Sequence, residues 1–107
     1  MRKLTSLLLA TMLLAAPLTG CGESQTSSSS RLDTVKGRGK LICGVEGNIP
    51  GFSFVDQSGN YSGIDVDVCK AVAAALFNDP NAVEYRNLDS TERFTALTGG
   101  EVDMLSR

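Results

Sequence analysis

From residue 40 onward the apolar positions fall into short continuous runs separated by stretches of helical period. Residues 40–45 (KLICGV) form an apolar run between Gly39 and Gly47, the pattern of a buried strand. Residues 52–55 (FSFV) and 61–62 flank the turn-rich DQSGN at 56–60, which predicts a hairpin-like loop with Phe52 and Phe54 in the core. From Asp65 the period becomes helical. Val68, Cys69, Val72, Ala73 and Leu76 fall on one face, Asp65 and Asp67 sit where the helix dipole favours anions, and Asn78-Asp79-Pro80 ends the helix. Residues 82–85 (AVEY) predict a second strand. Asp89 with Glu92 three positions later has the form of a capping box for a helix reaching Thr98, with Phe94 and Leu97 buried and Gly99-Gly100 as its stop. Residues 102–105 (VDML) predict a third strand. The order β, loop, α, β, α, β is that of an α/β domain on a mostly parallel sheet. Arg107 arrives at the end of a strand with no helix left for the sheet's second face, and parallel sheets need both faces covered. The chain is therefore expected to be an incomplete part of a longer protein.

The first thirty residues follow no such pattern. Arg2 and Lys3 precede an apolar stretch at 7–16 (LLLATMLLAA), and Thr19-Gly20 offers a small-residue site just before Cys21. This is the layout of a secretory leader whose apolar core is too short to span a bilayer. The run LTGC at 18–21 resembles the bacterial lipobox, in which the Cys is lipidated and becomes the mature N-terminus. Residues 1–20 are thus expected to be a lipoprotein signal peptide and Cys21 a lipid anchor in the cell envelope. Residues 21–31 read as a Ser-rich flexible tether, leaving 32–107 to fold.

Composition narrows the chemistry. The 107 residues are 42% hydrophobic and 21% charged, a globular balance for one small domain at most. The chain has no His, which excludes a Ser-His-Asp triad, a Cys-His pair and a His-based zinc site within it. A net charge of −2 gives no footprint for nucleic acid, and loss of residues 1–20 makes the balance more acidic, since it removes Arg2 and Lys3. No cofactor is implied. Residues 37–40 (GRGK) look like a phosphate loop but precede the strand and lack its spacing.

Open α/β sheets bind ligands beyond the carboxyl ends of their strands. Three stretches answer to that position: Glu46, Gly47 and Asn48 running on through Gly51 and Phe52; residues 87–93, at the start of a helix whose free N–H groups favour anions; and Ser106 with Arg107. They suggest a polar small-molecule site with backbone donors and one or two fixed charges. Glu46, Asn48 and Arg93 read equally as solvated surface residues. Cys43 on the first strand and Cys69 on the first helix are either a disulfide pair, in an exported protein, or two buried thiols. Two thiolates without His make a poor metal site.

These residues carry a family resemblance. Residues 32–45, 51–53, 63–72, 92–97 and 100–107 resemble the mature start of the polar amino-acid-binding proteins of ABC transporters, most closely the general L-amino-acid-binding branch, which shares both Cys43 and Cys69. The resemblance implies the first part of lobe 1 of a bilobed, type II periplasmic binding protein that captures a free L-amino acid, polar or acidic, and presents it to a membrane permease. It implies that Glu46 and the following loop line the site and that Ser90 and Arg93 approach the ligand. The Arg at the Arg93 position meets a side-chain carboxylate in binders of acidic amino acids, a task suited to a bidentate guanidinium. Ser106 and Arg107 would begin the segment that holds the α-carboxylate. Ile49 stands where many relatives stack an aromatic ring on the ligand, and Glu46 favours a cationic or amide end. The family's carboxylate-clamping Arg falls beyond Arg107, and the second lobe is absent, so these residues alone are expected to bind weakly or not at all. The same fold hosts a cyclohexadienyl dehydratase and sensor domains. An enzyme would have to use Glu46 as its carboxylate, and a sensor would need a downstream transmembrane segment. A nonfunctional remnant of a frameshifted gene is the remaining alternative.

Overall fold

The computed structural model describes residues 30–107; the leader, Cys21 and most of the tether lie outside them. Ser30 and Asp33 begin the order. The Ser30 hydroxyl accepts from the Asp33 N–H while the Asp33 carboxylate accepts from the Ser30 N–H, a reciprocal capping box that starts α1 (Arg31–Arg38). Sequence reading placed Arg31 with the tether and foresaw no helix here, because only Val35 among these eight residues is buried. Gly39, at φ +78°, ends the helix in the left-handed conformation, and its N–H returns to Val35 and Lys36.

Three parallel strands form the sheet: β1 (Leu41–Val45), β5 (Val83–Asn87) and β6 (Met104–Leu105), in the order β5-β1-β6. The register pairs Cys43 with Tyr85 on one side and Met104 on the other. Between β1 and β5 the chain makes a small antiparallel sheet, β2 (Asn48–Ile49), β3 (Ser53–Val55) and β4 (Tyr61–Ser62), followed by α2 (Ile64–Phe77). The hairpin-like loop is present. Its side chains are inverted from expectation, with Phe52 58% exposed, Phe54 exposed and Ser53 wholly buried. Period-two alternation puts Ser53 inward, and its hydroxyl accepts from the N–H groups of Glu46 and Gly47, a satisfied interior position that a Phe could not fill.

In α2 the buried stripe runs through Val66, Cys69 and Ala73, with Val72 and Leu76 beside it; Val68, expected inside, is exposed. Cys69 fixes this rotation, because it is joined to Cys43 of β1 by a disulfide with Sγ atoms 2.08 Å apart. Closing this loop, 26 residues of separation, contributes about 3 kcal/mol. The first free N–H groups of α2 are taken up by the carbonyls of Gly51 and Phe52, and Gly63 at φ +115° sits so close to the Phe52 carbonyl that a Cβ would lie 2.2 Å from its oxygen. Asn78, left-handed at φ 56°, closes α2.

The third connection carries α3 (Arg93–Thr98). Its start differs from the expected capping box. Asp89 accepts from the N–H groups of Thr91 and Glu92 and from the Thr91 hydroxyl, but no return bond comes from the Glu92 side chain among the described residues. The helix proper begins at Arg93, so Ala96 is the buried position and Phe94 stands 62% exposed. Strand alternation then distributes the core. Leu41, Cys43 and Val45 face α1 and α2, whereas Ile42 joins Leu88, Ala96, Leu97, Val102 and Leu105 on the opposite face. The second face of the sheet is thus partly covered by α3, contrary to the expectation that no helix remained for it. With α2 and α3 on opposite faces, the crossover direction reverses between β1 and β6.

Candidate functional site

A reversal of crossover direction opens a crevice at the carboxyl ends of the strands on either side of it. Here those strands are β1 and β6, and the residues that follow them are Glu46 and Ser106-Arg107. Glu46 is held by its own backbone: its N–H and that of Gly47 both donate to Ser53 Oγ, at 3.1 and 3.2 Å. Ser106 is buried and continues the ladder, donating its N–H to the Gly44 carbonyl at 2.9 Å. Arg107 then reaches back across β1. Its Nη1 donates to the Leu88 carbonyl at 2.7 Å and its Nη2 forms an ion pair with Glu46 Oε2. The side chains of Arg107 and Glu46 keep 15% and 20% of their surface. Three strand ends are thereby tied together, because Leu88 follows β5 and donates its own N–H to the Val45 carbonyl.

Of the other residues singled out in the sequence, Arg93 opens α3 with its guanidinium 4.8 Å from the Phe94 ring centroid and its Nε buried without a hydrogen bond. Ser90 is exposed in the turn before it, and Asn48 and Phe52 are exposed on and beside the small sheet. Two of the N–H groups expected to favour an anion after β5 have a carboxylate of this chain as their acceptor. The Asp89 carboxylate takes those of Thr91 and Glu92, and these bonds, with the Thr91 hydroxyl first and the nearby Arg107 charge last, hold its pKa below the usual carboxylate value. Glu46 and Arg107 are therefore the pair that the fold joins directly, while Asn48 lies on β2, Phe52 just before β3, and Ser90 and Arg93 before and at the start of α3.

Sequence reading gave Ser53 no role of its own, and took Asn87 and Leu88 only as part of the stretch 87–93. Ser53 carried a signal, a polar residue at an alternating position between two Phe residues. Asn87 accepts a hydrogen bond from the Tyr61 hydroxyl at 2.9 Å, and Tyr61 stacks on Tyr85 with ring centroids 4.5 Å apart, which fixes the hairpin against β5. A shallow depression of about 390 Å³ lies on the flank of α3, lined by Asn87, Leu88, Thr91, Glu92, Thr95, Ala96 and Glu101. It takes in part of the 87–93 stretch but not Glu46, Ser90, Arg93, Ser106 or Arg107.

Comparison with known proteins places this geometry. The model of bacterial extracellular solute-binding proteins, family 3, matches residues 41–107. The glutamate/glutamine/aspartate/asparagine-binding protein BztA of Rhodobacter capsulatus is 54% identical over 81 residues, covering 76% of this chain and 24% of that protein. The general L-amino acid-binding periplasmic protein AapJ of Rhizobium johnstonii is 49% identical over 84 residues, covering 78% and 25%. The chain thus spans about a quarter of the length of these relatives. Among solved structures, a periplasmic binding protein from Brucella ovis with glutathione bound superposes with a TM-score of 0.67 at 50% identity, covering 69% of this chain and 23% of that one. The arginine-bound form of domain 1 from TmArgBP does so with a TM-score of 0.61 at 30% identity, covering 69% and 56%. The α/β fold with its parallel sheet matches part of a lobe of these binding proteins.

Proposed function

Because the chain belongs to the bacterial extracellular solute-binding proteins of family 3, we propose that it is the extracytoplasmic amino-acid-capturing component of an ABC transporter. It takes up a free L-amino acid, polar or acidic, and presents it to permease subunits in the membrane. The observation that carries this reading is the convergence of three strand ends at one edge, where Glu46, Ser106 and Arg107 are fixed by hydrogen bonds to or from the backbone and the side chains of Glu46 and Arg107 keep part of their surface open. A polar ligand finds at this edge a carboxylate acceptor beside a guanidinium. Asn48, Phe52 and Ser90 supply exposed polar and aromatic surroundings, and Arg93 a half-buried guanidinium. The names of BztA and AapJ, at about half identity, support amino acids as the ligand class.

An enzyme on the same fold would have to draw its acid or base from Glu46, whose carboxylate is engaged by Arg107. No second carboxylate joins it in an acid–base pair among the described residues, so the binding reading is preferred.

Titration of the chain with the twenty amino acids, followed by NMR shift changes, is the test. Saturable but weak binding of at least one polar or acidic amino acid is expected, since this wall alone encloses a ligand incompletely. Saturable binding of another class of solute in preference to every amino acid sinks the amino-acid reading; micromolar affinity sinks the expectation that a facing lobe is required. The arginine-bound domain 1 of TmArgBP makes that second outcome worth seeking. Anchoring through Cys21 is part of the proposal. The Cys21→Ser variant is expected to leave the membrane fraction and to lose labelling by an alkyne fatty acid, and unchanged labelling would remove the anchor from the scheme.

A further inference from the structure

The contact between Glu46 and Arg107 bears on which amino acid the edge would accept, and this step rests on the amino-acid reading above. Arg107 is doubly committed, with Nη1 on the Leu88 carbonyl and Nη2 against Glu46 Oε2. Glu46 is committed on one oxygen only. Oε2 is closed to solvent, while the side chain as a whole keeps 20% of its surface, so that surface belongs to Oε1 and the aliphatic stem. Oε1 accepts no hydrogen bond from the described residues. The edge therefore offers an open carboxylate oxygen whose charge is already balanced by its neighbour.

We infer that this pair selects the ligand by charge, favouring L-amino acids whose side chain ends in an uncharged donor, an amide above all, over acidic and cationic ones. An acidic end attracted to Arg107 meets Glu46 beside it, and a cationic end attracted to Glu46 meets Arg107. Either one sheds its hydration for a site of nearly zero net charge and recovers little Coulomb energy in return. An amide N–H loses far less on desolvation and donates to Oε1 in a charge-assisted bond. Glu46 is on this view a specificity-determining residue, and Arg107 is what turns its preference from a cation to an amide.

The test titrates the wild-type chain, Glu46→Gln, Arg107→Gln and the double variant with L-glutamine, L-glutamate and L-lysine, following NMR shift changes. The wild type should bind glutamine tightest. Removing one charge of the pair leaves the other uncompensated, so E46Q should move the glutamate-to-glutamine affinity ratio towards glutamate by about tenfold, and R107Q the lysine-to-glutamine ratio towards lysine by about as much. The double variant should prefer glutamine again. Equal weakening of all three ligands in both single variants, or a double variant that prefers a charged ligand, overturns the inference. A wild type that binds glutamate or lysine as well as glutamine overturns it too, even if no variant folds, and leaves the amino-acid reading standing. A wild type that binds none of the three overturns the inference that this edge selects a ligand and leaves the amino-acid reading standing, whereas preference for a solute that is not an amino acid overturns both.

Discussion

The two ends of the parallel sheet each hold a carboxylate against arginine, and they do so in opposite ways. At the amino end, Asp103 keeps only 2% of its side-chain surface. It accepts the Ile42 N–H at 2.7 Å, forms an ion pair with Arg38, and has Arg31 at 3.9 Å. Its own N–H donates to the Ile42 carbonyl at 2.8 Å. Arg38 is thus clamped to the entrance of β1 and β6, and the buried carboxylate has its Oδ2 on Arg38 and the Ile42 N–H and its Oδ1, without a hydrogen bond, towards Arg31. At the carboxyl end, Glu46 has one arginine, one uncovered oxygen and ten times the fractional exposure, 20% against 2%. A buried charge that is fully surrounded serves the fold, because removing it strands its partners; one left half surrounded has bonding capacity for something that arrives from outside.

The largest effect should come from breaking the enclosed end. Asp103→Ala is expected to cost about 3 kcal/mol in urea unfolding, towards the low end for a buried pair because Arg38 can partly resolvate. Glu46→Gln should cost less, about 1–2 kcal/mol in the same experiment, because the amide keeps an acceptor and part of both side chains still meets water. Equal losses at the two positions would erase the contrast between the ends.

A smaller effect concerns pH at the open end. Asp89 has its pKa lowered by the Thr91 hydroxyl and the N–H groups of Thr91 and Glu92. A carboxyl whose folded pKa lies below its unfolded value contributes stability that is present above the unfolded value and lost as pH falls through the folded one. Stability should therefore decline below about pH 4, and part of that decline should vanish in Asp89→Asn. The contribution is small, because the group is exposed and screened. Unfolding curves of the two proteins between neutral and acid pH give the comparison; identical acid slopes would mean that the Asp89 cap does not hold α3 in place.

Much of the α/β order was legible from local pattern. The apolar run of β1 and the turn residues before α2 and after it state their structure within a few neighbours, and so does the alternation of strands with helices. The errors share one cause. Phe52, Phe54, Val68 and Phe94 were expected inside because large apolar side chains usually are, and all four are exposed. What occupies the interior at those places is small or polar: Ser53 with two N–H donors, Cys69 in its disulfide, and Ala96 against Leu88 and Val102. Size and hydropathy do not reveal a hydroxyl that has found its partners, nor a helix rotation set by a bond to another element. The helix α1 was missed for a related reason, since it is held by the capping box at Ser30 and by arginines reaching Asp103, far along the chain.

The chain's own sequence determined the strands, the helix stops, the exclusion of histidine chemistry and the three stretches after the strand ends, because each depends on residue type and near spacing. Only the tertiary structure decided that Arg107 lies on Glu46 and Leu88, 61 and 19 positions away in the chain, and that Asp103 belongs to the fold while Glu46 stays open. Pairings of that range follow from sheet order and crossover direction, which bring together residues that no local pattern relates.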